Sequence, residues 1–259
     1  MPAPAGPGWA VAADPYPWPL EPLRPADCAL MVIDMQRDFC APDGYVAQIG
    51  EDIAPLAACI QPIQRCLAAA RRAGMRVVYT RQGFRPDLAD VPAWRRIKAA
   101  RYGAVVGRQG PLGRVLIRGE PGFQILPELA PQPGEPVVDK TANGAFTGTD
   151  LDRLLMAAGI RALAFAGVTI DVCVHSTLRE ATDRGYHGLL IADACGAVDP
   201  DLHAWALRSV TVEGGIFGAV ATTAQFEAGL APPPAEAGLA PPPAEAGLAP
   251  PPADQESLP

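Results

Sequence analysis

Ala162-Leu163-Ala164-Phe165-Ala166 runs directly into Gly167-Val168-Thr169-Ile170-Asp171-Val172-Cys173-Val174-His175-Ser176, and the rest of the architecture can be built around this passage. Five consecutive apolar residues suit a parallel strand buried on both faces. Beyond the glycine, Val174, Thr177, Leu178 and Ala181 recur at helical spacing, so a buried strand passes through a tight turn into a helix with Cys173 at the joint. A thiol near a helix N-terminus feels the positive end of the macrodipole, which favours the thiolate, and the unpaired N–H groups there can hold an oxyanion. A small cysteine packed in a core is the other reading, and Cys173 needs partners to decide between them.

Further strands share this character. Ala29-Leu30-Met31-Val32-Ile33-Asp34 reads as a buried strand with an acid at its carboxyl end. Asp52 is placed to cap a helix to about Ala73, with Leu56, Ile60, Ile63 and Leu67 on its apolar face, and Gly74 to stop it before strand Met75–Thr80. Residues 81–136 are dense in Gly, Pro and Arg and predict loops with a short helix near Trp94–Ala100. Strand Pro136–Lys140 follows, then a helix from Thr149 or Asp150 to Ala158, the strand before Cys173, and a helix from Cys173 to Arg184. Strand Gly188–Asp193, a helix over about Leu202–Val212 and strand Ile216–Val220 complete the series. Six strands with intervening helices predict an α/β fold, a three-layer αβα sandwich around a central six-stranded parallel sheet.

The chain divides into three parts. Residues 1–27, with Asp14-Pro15-Tyr16-Pro17-Trp18-Pro19, are too rich in proline for regular helix and predict an arm on the surface or on a neighbouring subunit. Residues 28–226 form the α/β domain. Residues 227–259 repeat Ala-Gly-Leu-Ala-Pro-Pro-Pro-Ala-Glu with a nine-residue period, which offers no periodic apolar face and predicts an extended tail outside the fold. An apolar content of 49% supports a large core, and a net charge of −7 with scattered basic residues argues against a nucleic-acid partner. Six cysteines without a CxxC pair, no cleavable signal and no membrane-length apolar run predict a cytoplasmic protein with reduced thiols and a small-molecule partner.

Asp34, Lys140 and Cys173 each sit at or just past the carboxyl end of a predicted parallel strand, and that end of the sheet faces the binding crevice. Their chemistry is complementary. A cysteine attacking an amide needs a base, a cation to share the developing charge, and backbone donors for the oxyanion. Asp34 can be the base, Lys140 the cation, and the N–H groups around Thr169 and Cys173 the donors. An ordinary buried ion pair is the alternative for Asp34 and Lys140. His175, two residues from Cys173 on a helix, points away from it.

Val32-Ile33-Asp34-Met35-Gln36-Arg37-Asp38-Phe39, Asp139-Lys140 and Gly167–Val174 together resemble the isochorismatase-like cysteine hydrolase superfamily, over roughly residues 13–226. The resemblance implies Cys173 as nucleophile, Asp34 as general base, Lys140 as assisting cation, an oxyanion hole from Thr169 and Cys173, and a non-proline cis peptide at Val168-Thr169. It also implies a homotetramer or homodimer without metal or cofactor. Within the superfamily the chain most resembles biuret hydrolases, in Gly44-Tyr45-Val46, Arg85–Asp90, Arg118–Gly122, Arg179–Gly185 and Gly214–Gly218. Their substrates are short, planar urea derivatives, with ammonia released through a thioester. Phe39 and Phe146 are expected as flat apolar walls. Two departures stand out: Glu213 replaces a glutamine, and Asn143 replaces a second lysine. If both face the pocket, they favour cationic guanylurea over neutral biuret, unless Glu213 pairs with Arg81 or Arg179.

Other readings are an N-carbamoyl amino acid amidase of the carbamoylsarcosine type and a catalytically silent binding or scaffold relative. The histidines do not supply a nicotinamidase-type metal set. True isochorismatases lack the nucleophilic cysteine, and no G-x-G-x-x-G follows the first strand.

Overall fold

A computed structural model describes residues 9–103 and 105–231. It holds the expected sheet of six parallel strands: β1 (Cys28–Ile33), β2 (Arg76–Gln82), β3 (Val137–Lys140), β4 (Ala162–Val168), β5 (His187–Gly196) and β6 (Ala219–Ala221). Their spatial order is β3-β2-β1-β4-β5-β6. The helices that cover it are α1 (Ile60–Ala73), α2 (Ala93–Tyr102), α3 (Leu151–Ala157), α4 (His175–Asp183), α5 (Pro200–Gly215) and α6 (Thr223–Gly229).

Strand alternation divides the core into two layers. Leu30, Val32, Val77, Tyr79, Ala164 and Leu189 face α1 and α6, where they meet Ile63, Leu67, Ala70 and Phe226. Met31, Ile33, Val78, Leu163, Phe165 and Leu190 face the other way, onto Leu151, Leu155, Leu178, Ala181, Ala206 and Val210 of α3, α4 and α5. β1 and β4 are buried at every position, which explains why they read as unbroken apolar runs. Full burial of each large aliphatic side chain contributes about 1.5–3 kcal/mol. The two strands also approach closely: a Cβ on Gly167 would lie 2.1 Å from the Ile33 carbonyl oxygen, and φ there is +128°. Only glycine fits where β4 leaves the sheet.

The helix expected over residues 52–73 is two helices. Asp52 Oδ1 accepts from the Ala54 N–H at 2.9 Å, starting a single turn at Ala54–Ala57, and α1 begins afresh at Ile60. A continuous helix would need an N–H on Pro62 to reach the Ala58 carbonyl, and proline has none. Gly74 then ends α1 in the left-handed region at φ +72°. The last strand starts later than the predicted Ile216, because Val212, Glu213 and Gly214 leave helical geometry and Ile216–Gly218 complete the turn.

The arm lies on its own domain. Val11 and Trp18 exchange backbone hydrogen bonds of 2.7 and 2.9 Å, and Asp14 and Val220 of β6 exchange two more of 2.9 and 2.8 Å. Trp18 is fully buried and donates its indole N–H to the His187 carbonyl at 3.0 Å. The peptides preceding Pro15 and Pro19 are cis. At the other end, α6 crosses the expected domain boundary at Phe226/Glu227: Thr222 and Gln225 form a capping box, Leu230 is buried, and Glu227 pairs with Arg65. The repeats from residue 232 onward, and residues 1–8, lie outside the described residues. No helix among those described is long and apolar enough to cross a membrane.

Candidate active site

The order β3-β2-β1-β4 sets four strand ends side by side, and they deliver Lys140, Gln82, Asp34 and the Thr169–Cys173 turn in that sequence. Asp34 follows β1 in the left-handed region, φ +51°, a conformation that aspartate tolerates better than most residues. Its N–H reaches the Thr80 carbonyl and hydroxyl at 3.3 and 3.2 Å, and its Oδ1 accepts from the Thr80 hydroxyl at 2.6 Å. The other oxygen, Oδ2, lies 2.8 Å from Lys140 Nζ, and both side chains are wholly buried.

Lys140 is held from all sides. Its ammonium donates to Gln82 Oε1 at 2.9 Å, the Ala142 carbonyl at 3.1 Å and the Asn143 carbonyl at 2.9 Å. Burial opposes its charge, but the Asp34 carboxylate and the Cys173 sulfur outweigh burial and raise its pKa above the ordinary lysine value. Gln82 is fixed in turn: its N–H donates to Gln36 Oε1 at 2.6 Å, and its carbonyl accepts from Gln36 Nε2 at 3.1 Å. Both glutamines are buried; Gln82 ends β2, so the rule that points to Asp34 and Lys140 could have found it, whereas Gln36 lies beyond β1 at the start of the next helical turn.

Beyond β4 the peptide between Val168 and Thr169 is cis. Ile170–Val174 then form one turn of π-helix before α4 begins at His175, so Cys173 sits inside a widened turn and not in the first α-helical turn expected of it. The Thr169 carbonyl accepts from the N–H groups of Val172 and Val174, at 3.2 and 3.1 Å, passing over that of Cys173. Asp34 and Lys140 are the charged groups that act on the Cys173 thiol. Burial pushes it up to about 12, Lys140 pulls against this, and Asp34 adds to it. Burial thus opposes the thiolate that the helix end and Lys140 favour.

Cys173 opens onto a cavity of about 610 Å³, within the range of about 300–1,000 Å³ usual for small-molecule sites. Phe39 and Asn143 line it as expected, and Tyr45, Phe84, Arg95 and Asp171 join them. Phe39 and Tyr45 meet edge to face at 5.5 Å. Phe146 does not line the cavity. The Ala145 N–H donates to Thr177 Oγ1 at 3.2 Å and the Phe146 N–H to Glu180 Oε2 at 2.9 Å, which draws the loop onto α4 and stacks the ring on Tyr186 at 5.8 Å. Glu213 is not in the cavity either: it is exposed at the irregular end of α5, at φ +53°. Arg81 pairs with Asp139 and Arg179 bonds His175, so neither arginine holds Glu213. His175 turns away from Cys173, with Nε2 2.6 Å from Ser209 Oγ and the ring stacked on Trp205. Among the described residues, no cluster of three or more His, Cys, Asp or Glu is arranged to hold a metal ion.

The chain is similar to known proteins in sequence and in fold. Ureidoacrylate amidohydrolase RutB of Methylorubrum extorquens (strain DSM 6343 / CIP 106787 / DM4) is 36% identical over 224 residues, covering 81% of this chain and 88% of that protein. The same enzyme of Agrobacterium fabrum is 35% identical over 211 residues, covering 79% and 90%. Among solved structures, a cysteine hydrolase from Pseudomonas syringae pv. phaseolicola superposes with a TM-score of 0.68 at 29% identity, covering 80% of this chain and 94% of that one. N-carbamoylsarcosine amidase from Thermoplasma acidophilum gives 0.57 at 26% identity, covering 76% and 96%. The family model described as the isochorismatase domain matches residues 28–225, nearly the whole of the sheet and its helices, and the chain belongs to the isochorismatase family of hydrolases.

Proposed function

We propose that this hydrolase is a cysteine amidohydrolase that cleaves the terminal C–N bond of a small urea derivative. The reading rests on one observation: the buried Asp34–Lys140 pair at 2.8 Å acts on Cys173, which among the described residues is the one cysteine lining the cavity. Asp34 Oδ2 takes the proton from Sγ as the sulfur attacks the carbonyl carbon. Lys140 donates to the sulfur as its charge develops, and the Thr169 and Cys173 N–H groups receive the carbonyl oxygen of the tetrahedral adduct. That adduct collapses as the C–N bond breaks, and the proton held by Asp34 passes to the nitrogen, so ammonia leaves a carbamoyl thioester on Cys173. Water adds to the thioester with Asp34 again as base, and the S–C bond breaks to restore the thiol.

The substrate class follows from the chemistry that the relatives' names share. Ureidoacrylate and N-carbamoylsarcosine both carry a terminal carbamoyl group, as do biuret and guanylurea. The carboxylate ground for a cationic guanylurea falls away with Glu213 exposed to solvent. The test is ammonia release from a panel of ureidoacrylate, N-carbamoylsarcosine, biuret, guanylurea and nicotinamide, with intact-mass detection of an adduct on Cys173. Carbamoyl compounds should be turned over and Cys173→Ser should abolish both turnover and adduct. Retention of activity in that variant, or turnover confined to nicotinamide, refutes the reading.

A further inference from the structure

Helix α2 buries none of its residues. Trp94, Ile97, Lys98, Arg101 and Tyr102 recur at helical spacing and line an open groove of about 490 Å³. Trp94, Ile97 and Tyr102 are 62, 59 and 64% exposed, and a contiguous exposed apolar face of this kind marks an interaction site. The helix is also basic. It carries Arg95, Arg96, Lys98 and Arg101 and no acid, and none of the four forms an ion pair among the described residues. A second exposed apolar face, Leu202, Trp205 and Val212 of α5, differs in charge, with Asp201 and Glu213 beside Arg208. The α2 groove therefore selects an occupant that is both apolar and acidic.

The chain itself contains such a segment. Residues 232–259 carry Glu236, Glu245, Asp254 and Glu256 and no basic residue. The first copy of the repeat, which begins at Glu227, shows what the sequence binds: Glu227 pairs with Arg65, and Leu230, three residues on, is buried against the core. The second and third copies present the same acid and leucine as Glu236 with Leu239 and Glu245 with Leu248. On α2, Ile97 with Arg101 and Trp94 with Lys98 each set an apolar side chain one turn from a cation. The three Pro-Pro-Pro runs add a further match, since such runs favour the polyproline helix, which docks in aromatic-lined grooves at little ordering cost. Reach is sufficient. An extended proline-rich chain advances about 3.1 Å per residue, which carries Leu248 about 50 Å from Ala231, and a compact domain of this size is roughly 45 Å across.

We propose that residues 232–259 dock in the α2 groove of their own chain, with the acids on Lys98 and Arg101 and the prolines and leucines on Trp94, Ile97 and Tyr102. Trp94, Lys98 and Tyr102 also line the cavity onto which Cys173 opens. The docked segment therefore lies at the rim of the catalytic cavity and competes with substrate for entry. Its tether gives it a high effective concentration, on the order of millimolar, so that weak contacts suffice.

The experiment compares the full chain with one ending at Ala231, which keeps α6 whole. Amide hydrogen exchange over residues 93–103 should be several-fold slower in the full chain at low ionic strength. The difference should shrink in about 0.5 M salt, where charges are screened. Ile97→Asp and Arg101→Gln in the full chain should remove it too. Those two side chains line the groove and not the cavity, so the chemical step stays intact. In a panel of carbamoyl compounds, KM should be about two- to tenfold higher for the full chain than for the shortened one, with kcat unchanged. Equal exchange over α2 in the two chains overturns the proposal, as does slowing that falls on α5 instead. Slowing that disappears on dilution of the full chain also overturns it, because the occupant is then a second copy. So does slowing that survives both salt and Arg101→Gln. The exchange comparison needs no turnover, so a chain inactive on every carbamoyl compound refutes the amidohydrolase reading and leaves the docking to be decided by exchange alone.

Discussion

Replacing Lys140 by methionine keeps the bulk of the side chain and removes its charge from a place where neither it nor Asp34 meets water. Asp34 Oδ2 then loses its ion-pair partner, while Oδ1 keeps only the Thr80 hydroxyl. Breaking a buried pair by deleting one member costs about 3–5 kcal/mol, because the remaining charge stays buried without compensation. Gln82 Oε1 loses its donor as well, which places the cost toward the upper end. Against a total stability of about 5–15 kcal/mol for a typical domain, Lys140→Met should lower the thermal midpoint by on the order of 10 °C. Asp34→Asn combined with Lys140→Met removes both charges and should be more stable than Lys140→Met alone, although it carries more changes. Urea unfolding of wild type, both single variants and the double variant closes the cycle and isolates the coupling. Both variants that lack Lys140 should also lose at least about 100-fold in turnover. A Lys140→Met protein within about 1 kcal/mol of wild type, or a double variant no more stable than that single one, would refute an energetically coupled pair.

Three further outcomes follow. With the Cys173 thiol raised to about 12, its alkylation by iodoacetamide, followed by peptide mass spectrometry, should rise steadily through pH 9–11. A plateau near neutrality would show a resting thiolate. The same shift is linked to folding: an unfolded cysteine titrates near about 8.5, so this contribution to stability is complete below that pH and is lost as pH climbs toward 12, an alkaline destabilisation that Cys173→Ser should lessen. Ending the chain at Phe226 removes buried Leu230 and the Glu227–Arg65 pair. Burial of one leucine is worth about 1.5–3 kcal/mol, so calorimetry should show a midpoint lowered by several degrees, and an unchanged midpoint would contradict the packing of α6.

The sheet was legible in the sequence because β1 and β4 are buried on both faces, and a strand so placed has little choice but unbroken apolar residues. Asp34, Lys140 and Cys173 were legible for a related reason, since polar residues at the ends of such strands stand out and parallel topology carries them to one edge. The cavity walls were not. Phe146 follows Lys140 almost as closely as Phe39 follows Asp34, yet hydrogen bonds to Thr177 and Glu180 turn its loop onto α4. Arg95 approaches Asn143 from 48 residues away, across a stretch whose loops carry no periodicity to read. The burial that raises the Cys173 thiol was not legible either, because helix position is written locally, whereas desolvation depends on the whole surrounding fold.

The pairing of Asp14 with Val220 has a consequence for solubility. β6 is the last strand on its side of the sheet, and an uncovered last strand is a template on which another molecule can extend the sheet. The arm occupies part of that template with a segment that carries Pro15, Pro17 and Pro19, residues with no N–H to offer a newcomer. It thus ends the sheet without becoming a new growing edge. Protein shortened beyond Asp14 should therefore be prone to self-association through β6 even where the catalytic groups, on the other side of β5, keep their places.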